Sequence, residues 1–112
     1  VGVAGSDLYT GSLDLLILKS LQWGTLHGYA IGRWIRQWTA DTLAIQEGAL
    51  YPALHRLESR GLLAAEWGTS ESGREVKCYS LTRSGRNQLK AEAVRWQAYA
   101  RVVGAALAAT HP

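Results

Sequence analysis

The chain has 112 residues, 47% hydrophobic and 19% charged, with a formal net charge of +3. That describes one globular domain with a modest core, neither disordered nor fibrous, and small enough for a second subunit to supply part of its packing. The mild positive charge permits a nucleic-acid partner without demanding one, and the single cysteine, Cys78, excludes an intramolecular disulfide and a cysteine-based metal site.

A reducing, cytoplasmic setting fits this composition. Val1 to Ser6 carry neither a basic region nor a long apolar run, so no signal peptide is expected. Apolar runs such as Leu15 to Leu18 fall far short of the ~20 residues that span a bilayer, and no membrane partner is expected.

The first helix is predicted from Ser12 to Trp23, with Ser12 as N-cap and Asp14 in the first turn, where the helix dipole favours negative charge. Leu13, Leu16, Ile17 and Leu21 make one face, and Leu15 and Leu18 widen it, so the helix is expected to be buried on more than one side. Gly24 ends it. Thr25 to Gly28 read as a connector. Tyr29 to Trp38 form a second helix, with Ile31, Trp34, Ile35 and Trp38 spaced as a core stripe and Arg33 and Arg36 off it. After a loop around Thr39 to Thr42, the alternation Leu43-Ala44-Ile45 predicts a very short strand.

The third helix carries two messages. Leu50, Ala53, Leu54 and Leu57 fall on an apolar stripe, while Gly48, Pro52, His55, Arg56 and Ser59 fall on the opposite one with Tyr51 beside them. Pro52 has no N–H and clashes with the carbonyl four residues back, so it is tolerated only near a helix start. The helix is therefore predicted to begin near Glu47 or Gly48, run to about Arg60 and stop at Gly61. Its outer face offers a small residue, a phenol, an imidazole and a guanidinium, which suit close approach to a polyanion better than proton transfer.

Leu62 to Trp67 and Val76 to Thr82 have strand character and are separated by the polar stretch Gly68 to Glu75, which predicts a β-hairpin with a long loop. From Arg83 onward the pattern is helical. Leu89, Ala93, Trp96, Ala100, Val103 and Leu107 are spaced 4, 3, 4, 3 and 4 residues apart, the a/d seam of a coiled coil. So small a domain cannot bury that seam against its own core, and the expectation is a homodimer. Three helices, a hairpin and a long helix describe a mainly α (α+β) winged helix-turn-helix, residues 10–82, followed by a dimerisation helix, residues 83–110.

Specific motifs accompany this order. They are Leu15-Leu16-Ile17-Leu18, His27-Gly28-Tyr29, Gly48-Ala49-Leu50-Tyr51-Pro52-Ala53-Leu54 with Arg56-Leu57-Glu58 and Gly61-Leu62, and Tyr79-Ser80-Leu81-Thr82 with Gly85-Arg86 and Leu89. Over roughly residues 10 to 105 the chain resembles PadR-type transcriptional regulators, and its single C-terminal helix resembles their compact branch. The resemblance implies a homodimeric DNA-binding protein, usually a repressor, often released by a small phenolic or aromatic molecule. Two departures stand out. The family most often has Thr or Ser at the position of Ala49, and commonly a basic residue and an aromatic where this chain has Glu75 and Cys78.

Together these readings place Gly48, Tyr51, Pro52 and His55 in a major groove, with Arg56 either on guanine, on a phosphate, or paired with Glu47 or Glu58. Arg33 and Arg36 are candidate phosphate contacts, and Arg74 and Lys77 candidate wing contacts beside the opposing Glu71 and Glu75. Trp34 and Trp38 are assigned to the core. Trp96, flanked on the seam by Ala93 and Ala100, either interdigitates with its mate or frames a slot for a flat aromatic effector.

The expected partners are double-stranded DNA bearing an inverted repeat and a second copy of the chain, with no cofactor and no metal. The competing reading is a winged-helix module for protein contact without specific DNA binding, kept open by Glu47, Glu71 and Glu75. Catalysis is not expected, because His27, His55 and His111 lie on different elements without a paired carboxylate or nucleophile.

Overall fold

A computed structural model of the protein describes residues 10–39 and 47–112. The short strand expected at Leu43-Ala44-Ile45, and the loop before it, lie outside those residues.

Helix α1 spans Thr10–Ser20. It starts two residues before Ser12, so Ser12 is inside the helix rather than its cap, and Asp14 lies beyond the first turn. The helix also ends earlier than Trp23. Leu21 and Gln22 continue it as a tighter turn, their N–H groups donating to carbonyls three residues back at 3.2 and 3.1 Å. Leu13, Ile17, Leu18 and Leu21 are buried, and Leu15 and Leu16 pack partly on the same core.

The expected connector contains a strand, β1 (Leu26–His27). Two residues have no strand signal of their own; they are strand because Leu26 and His27 pair antiparallel with Tyr79 and Cys78. Helix α2 (Gly28–Trp38) follows at once, capped by His27, whose Nδ1 accepts the Ala30 N–H at 3.3 Å. Ile31 and Ile35 are fully buried. Of the two tryptophans assigned to the core, Trp34 is half-buried and packs against it, while Trp38 needs correction, at 70% exposed. Trp38 lies only about 20° around the helix from buried Ile31, but it is the last residue of α2 and stands beyond the end of the core. Trp34 lies 6.0 Å from Trp23 and 6.2 Å from Trp38, centroid to centroid.

Helix α3 (Glu47–Ser59) carries Pro52 in its second turn, as its start requires. It stops at Gly61, where φ is +76°. Strands β2 (Leu63–Thr69) and β3 (Glu75–Leu81) form an antiparallel hairpin in the register Leu63 with Leu81 through Thr69 with Glu75. With β1 they make a three-stranded sheet in the order β1-β3-β2. Ser70 closes the loop by donating its N–H to the Arg74 carbonyl at 2.8 Å, and Gly73 takes φ +84°.

The last helix, α4, spans Arg83–Leu107 and ends short of residue 110. The Thr82 hydroxyl caps it by accepting the Gly85 N–H at 3.0 Å, and donates to the Gly61 carbonyl at 2.7 Å. Thr82 also donates its N–H to the Leu62 carbonyl at 3.2 Å. One residue thus joins the end of α3 to the start of α4. Gly85 makes the joint possible, since a Cβ there would stand 2.1 Å from the Leu62 carbonyl oxygen. One core of α1, α2, α3, the sheet and Leu89 of α4 holds the domain together. None of the described helices is long and apolar enough to cross a membrane.

Candidate nucleic-acid interface

Leu50, Ala53, Leu54 and Leu57 seat α3 on the core at 4% exposure or less. That fixes its opposite side: Gly48, Tyr51, Pro52, His55 and Ser59 are all exposed. Among the described residues nothing lies within 4 Å of a Cβ added at Gly48, so none of them bars close approach to the backbone there. Tyr51 is anchored despite its exposure. A Cβ on Gly28 would lie 2.7 Å from the Tyr51 ring, which therefore rests on the first turn of α2. The glycine after His27 and the tyrosine of the third helix, far apart in sequence, serve one contact.

The flanks of α3 are polar and occupied. Nη2 of Arg56 donates to Asp14 of α1 at 2.7 Å, with side-chain exposures of 40% and 14%. Its Nε is enclosed and has no acceptor. On the other flank, Lys77 of the wing donates from Nζ to Glu58 at 3.0 Å and lies 5.6 Å from the Tyr79 ring centroid. The hydrogen bond to Glu58 raises the lysine above its ordinary value, while burial raises the Tyr79 hydroxyl. Thus neither Arg56 nor Lys77 is a free cation: Arg56 pairs with Asp14, and Glu58 is taken by Lys77. Reading the sequence did not find the Asp14 partner, because 42 residues separate the pair and no local pattern links them.

Of the other basic candidates, Arg33 and Arg74 line one groove with Tyr51. Arg33 is exposed, its Cζ 5.8 Å from the Tyr29 ring centroid. Arg36 is half-buried along α2, and Arg74 is exposed in the wing loop. An open groove of about 1010 Å³ runs between the start of α2 and the wing, lined among others by Tyr29, Arg33, Tyr51, Trp67, Arg74 and Lys77. Glu71 and Glu75 line it too. Among the described residues, no group of three His, Cys, Asp or Glu is placed to hold a metal ion.

The seam of α4 divides in two. Leu89 is spent on the domain's own core at 8% exposure, and Ala93 is half-buried. Beyond them Trp96 is 48% exposed and Leu107 81%, with Ala100 and Val103 also exposed. Trp96 lies 6.4 Å from Tyr99, centroid to centroid.

A helix seated by one apolar stripe, with a bare outer face, a second helix packed across its start and a hairpin alongside, defines a winged helix-turn-helix DNA-binding domain. Comparison with known proteins narrows the class. A model of the transcriptional regulator PadR-like family matches residues 17–91. A transcriptional regulator from Clostridium thermocellum superposes with a TM-score of 0.76 at 31% identity, covering 84% of this chain and 91% of its own. A PadR family transcriptional regulator from Eggerthella lenta gives 0.76 at 32%, covering 89% and 85%. Uncharacterized protein X of Lysinibacillus sphaericus is 31% identical over 91 residues, 81% of this chain and 84% of that protein. The chain belongs to the PadR-like family, whose members are DNA-binding transcriptional regulators and not enzymes.

Proposed function

We propose that the protein is a cytoplasmic, homodimeric, sequence-specific repressor whose two α3 helices enter successive major grooves of an inverted repeat, about 10 base pairs apart. Gly48, Tyr51, Pro52 and His55 form the reading face. Arg33, Arg36 and Arg74 contact phosphates around it and set orientation rather than sequence. The observation that carries the dimer is the second half of α4, where Trp96, Ala100, Val103 and Leu107 form an apolar stripe left exposed by the described residues. A second copy covers it, and the spacing of the seam supports that pairing.

Trp96 is also the candidate effector contact. A flat aromatic molecule stacking between Trp96 and its symmetry mate would favour one splay of the α4 pair over another and so alter the separation of the reading helices. Titration against the promoter fragment beside the protein's own gene tests the repressor. Tight, salt-sensitive binding to that fragment over random DNA is expected, and equal affinity for both rejects specific recognition. Quenching of tryptophan fluorescence by a releasing molecule, abolished in Trp96→Ala, tests the effector site.

A further inference from the structure

We infer that Asp14 and Glu58 are positioning residues for DNA recognition, holding α3 between α1 and the wing through Arg56 and Lys77. The inference rests on the DNA-binding reading above. It reassigns Arg56 and Lys77 from the contact surface to the mounting of the reading helix.

The geometry is nearly symmetric. Counted at about 100° per residue from Gly48, Arg56 falls about 80° to one side of the outward direction and Glu58 about 80° to the other. The apolar stripe centred on Leu50 and Leu57 lies behind them. The core fixes how deep α3 sits but resists rolling about the helix axis weakly, because a cylinder of leucine side chains has no directional bond. Two ion pairs on opposite flanks supply that direction. One reaches α1 at 2.7 Å, and the other reaches β3 at 3.0 Å.

Roll is the coordinate that matters to a reading helix. Turning α3 by a fraction of its 100° step exchanges the residue aimed at a base edge for its neighbour. The state of Arg56 supports a mounting role. Its side-on fork, formed by Nε and Nη2, is closed because Nε is enclosed, and Nη2 already donates to Asp14. Asp14 is itself only 14% exposed, so withdrawing Arg56 toward DNA would strand a shielded carboxylate. Lys77 is held by Glu58 in the same sense, which fixes the wing relative to α3 and not only the helix relative to the core.

The two readings of these cations predict opposite signs when the acids are removed. Deleting a carboxylate from a DNA-binding surface strengthens binding if charge alone matters. It weakens binding if the carboxylate aligns the helix. The experiment is fluorescence anisotropy on the own-promoter fragment across a salt series, with Asp14→Ala, Glu58→Ala, Arg56→Ala, Lys77→Ala and the swapped pairs Asp14→Arg/Arg56→Asp and Glu58→Lys/Lys77→Glu.

All four single substitutions are expected to weaken binding by about threefold to fivefold with the salt slope unchanged, and both swapped pairs to recover most of the loss. The inference is overturned if Asp14→Ala and Glu58→Ala bind as well as or better than the unmodified protein, while Arg56→Ala and Lys77→Ala flatten the salt slope by about one unit each. Swapped pairs that bind worse than the single variants overturn it as well. If the unmodified protein does not prefer its own promoter fragment, the repressor reading has failed. Double-mutant cycles on unfolding then decide the mounting: coupling within each pair supports it and additivity rejects it.

Discussion

Replacing Gly85 with alanine should be far more damaging than a helical Gly→Ala substitution usually is. Alanine is the better helix former by about 1 kcal/mol, so propensity alone predicts stabilisation. The structure predicts the reverse. The new methyl would sit 2.1 Å from the Leu62 carbonyl oxygen, 3.1 Å from its carbon and 3.2 Å from Leu81 Cδ2. An ordinary carbon–oxygen contact is about 3.3 Å or more, so backbone has to separate by about 1 Å.

That displacement acts on the joint where Thr82 bonds Gly61 and Leu62. Overpacking costs about 1–3 kcal/mol, and loosening the Thr82 bonds about 1 more. The net loss is about 1–3 kcal/mol after the propensity gain, or roughly 5 to 20 °C in melting temperature for a domain of this size. Thermal unfolding followed by circular dichroism reads it directly. Gly48→Ala is the control, because none of the described residues lies within 4 Å of its new methyl; its melting temperature should hold or rise slightly. A Gly85→Ala protein as stable as the unmodified one would refute the reasoning.

Gly48→Ala should nevertheless weaken DNA binding in a gel-shift titration, because the methyl stands where backbone meets phosphate; unchanged affinity would remove Gly48 from the reading face. His27→Ala removes the acceptor of the Ala30 N–H and should cost about 1 kcal/mol in urea unfolding. Val103→Asp puts a charge on the uncovered half of the α4 seam and should convert the dimer to a monomer by analytical ultracentrifugation while the helical signal is kept.

Stability should fall in alkali. Lys77 and Tyr79 both hold their protons more tightly in the folded protein, the first through Glu58 and the second through burial. The unfolded chain releases them first, so their contribution is whole below about pH 10 and is lost as pH rises through the folded values. Urea midpoints at rising pH should show the decline, and the pair Lys77→Met with Tyr79→Phe should flatten it.

What the sequence disclosed follows the range of the forces involved. The bounds of α3 were legible because Pro52 and Gly61 act on their own backbone, and its inner stripe because leucine spacing is a local record of a distant core. The hairpin was legible for the same reason. β1 was not, since Leu26 and His27 become strand only when β3 arrives beside them. The two helix-start motifs kept their place but changed their meaning: His27 turned out to be a cap, and Thr82 with Gly85 a joint. Trp38 misled because periodicity tells which residues share a side, not how far along the helix the core extends. Asp14 was read as a helix-dipole residue, and only the fold could bring it to Arg56.

The Thr82 joint makes α4 a lever. Its 25 residues reach about 37 Å at 1.5 Å per residue, so a tilt of about 10° at the base carries the tip about 6 Å. The arm is fixed to its domain by Thr82, bonded to the chain that leaves α3, and by Leu89 in the core, so the domain moves with it. In a pair of such molecules, a small change in how the two long arms cross becomes a large change in the distance between the two helices at their short ends. The gain of that device is set by the length of α4, and its stiffness by one hydroxyl, one missing methyl and the seat of Leu89 in the core.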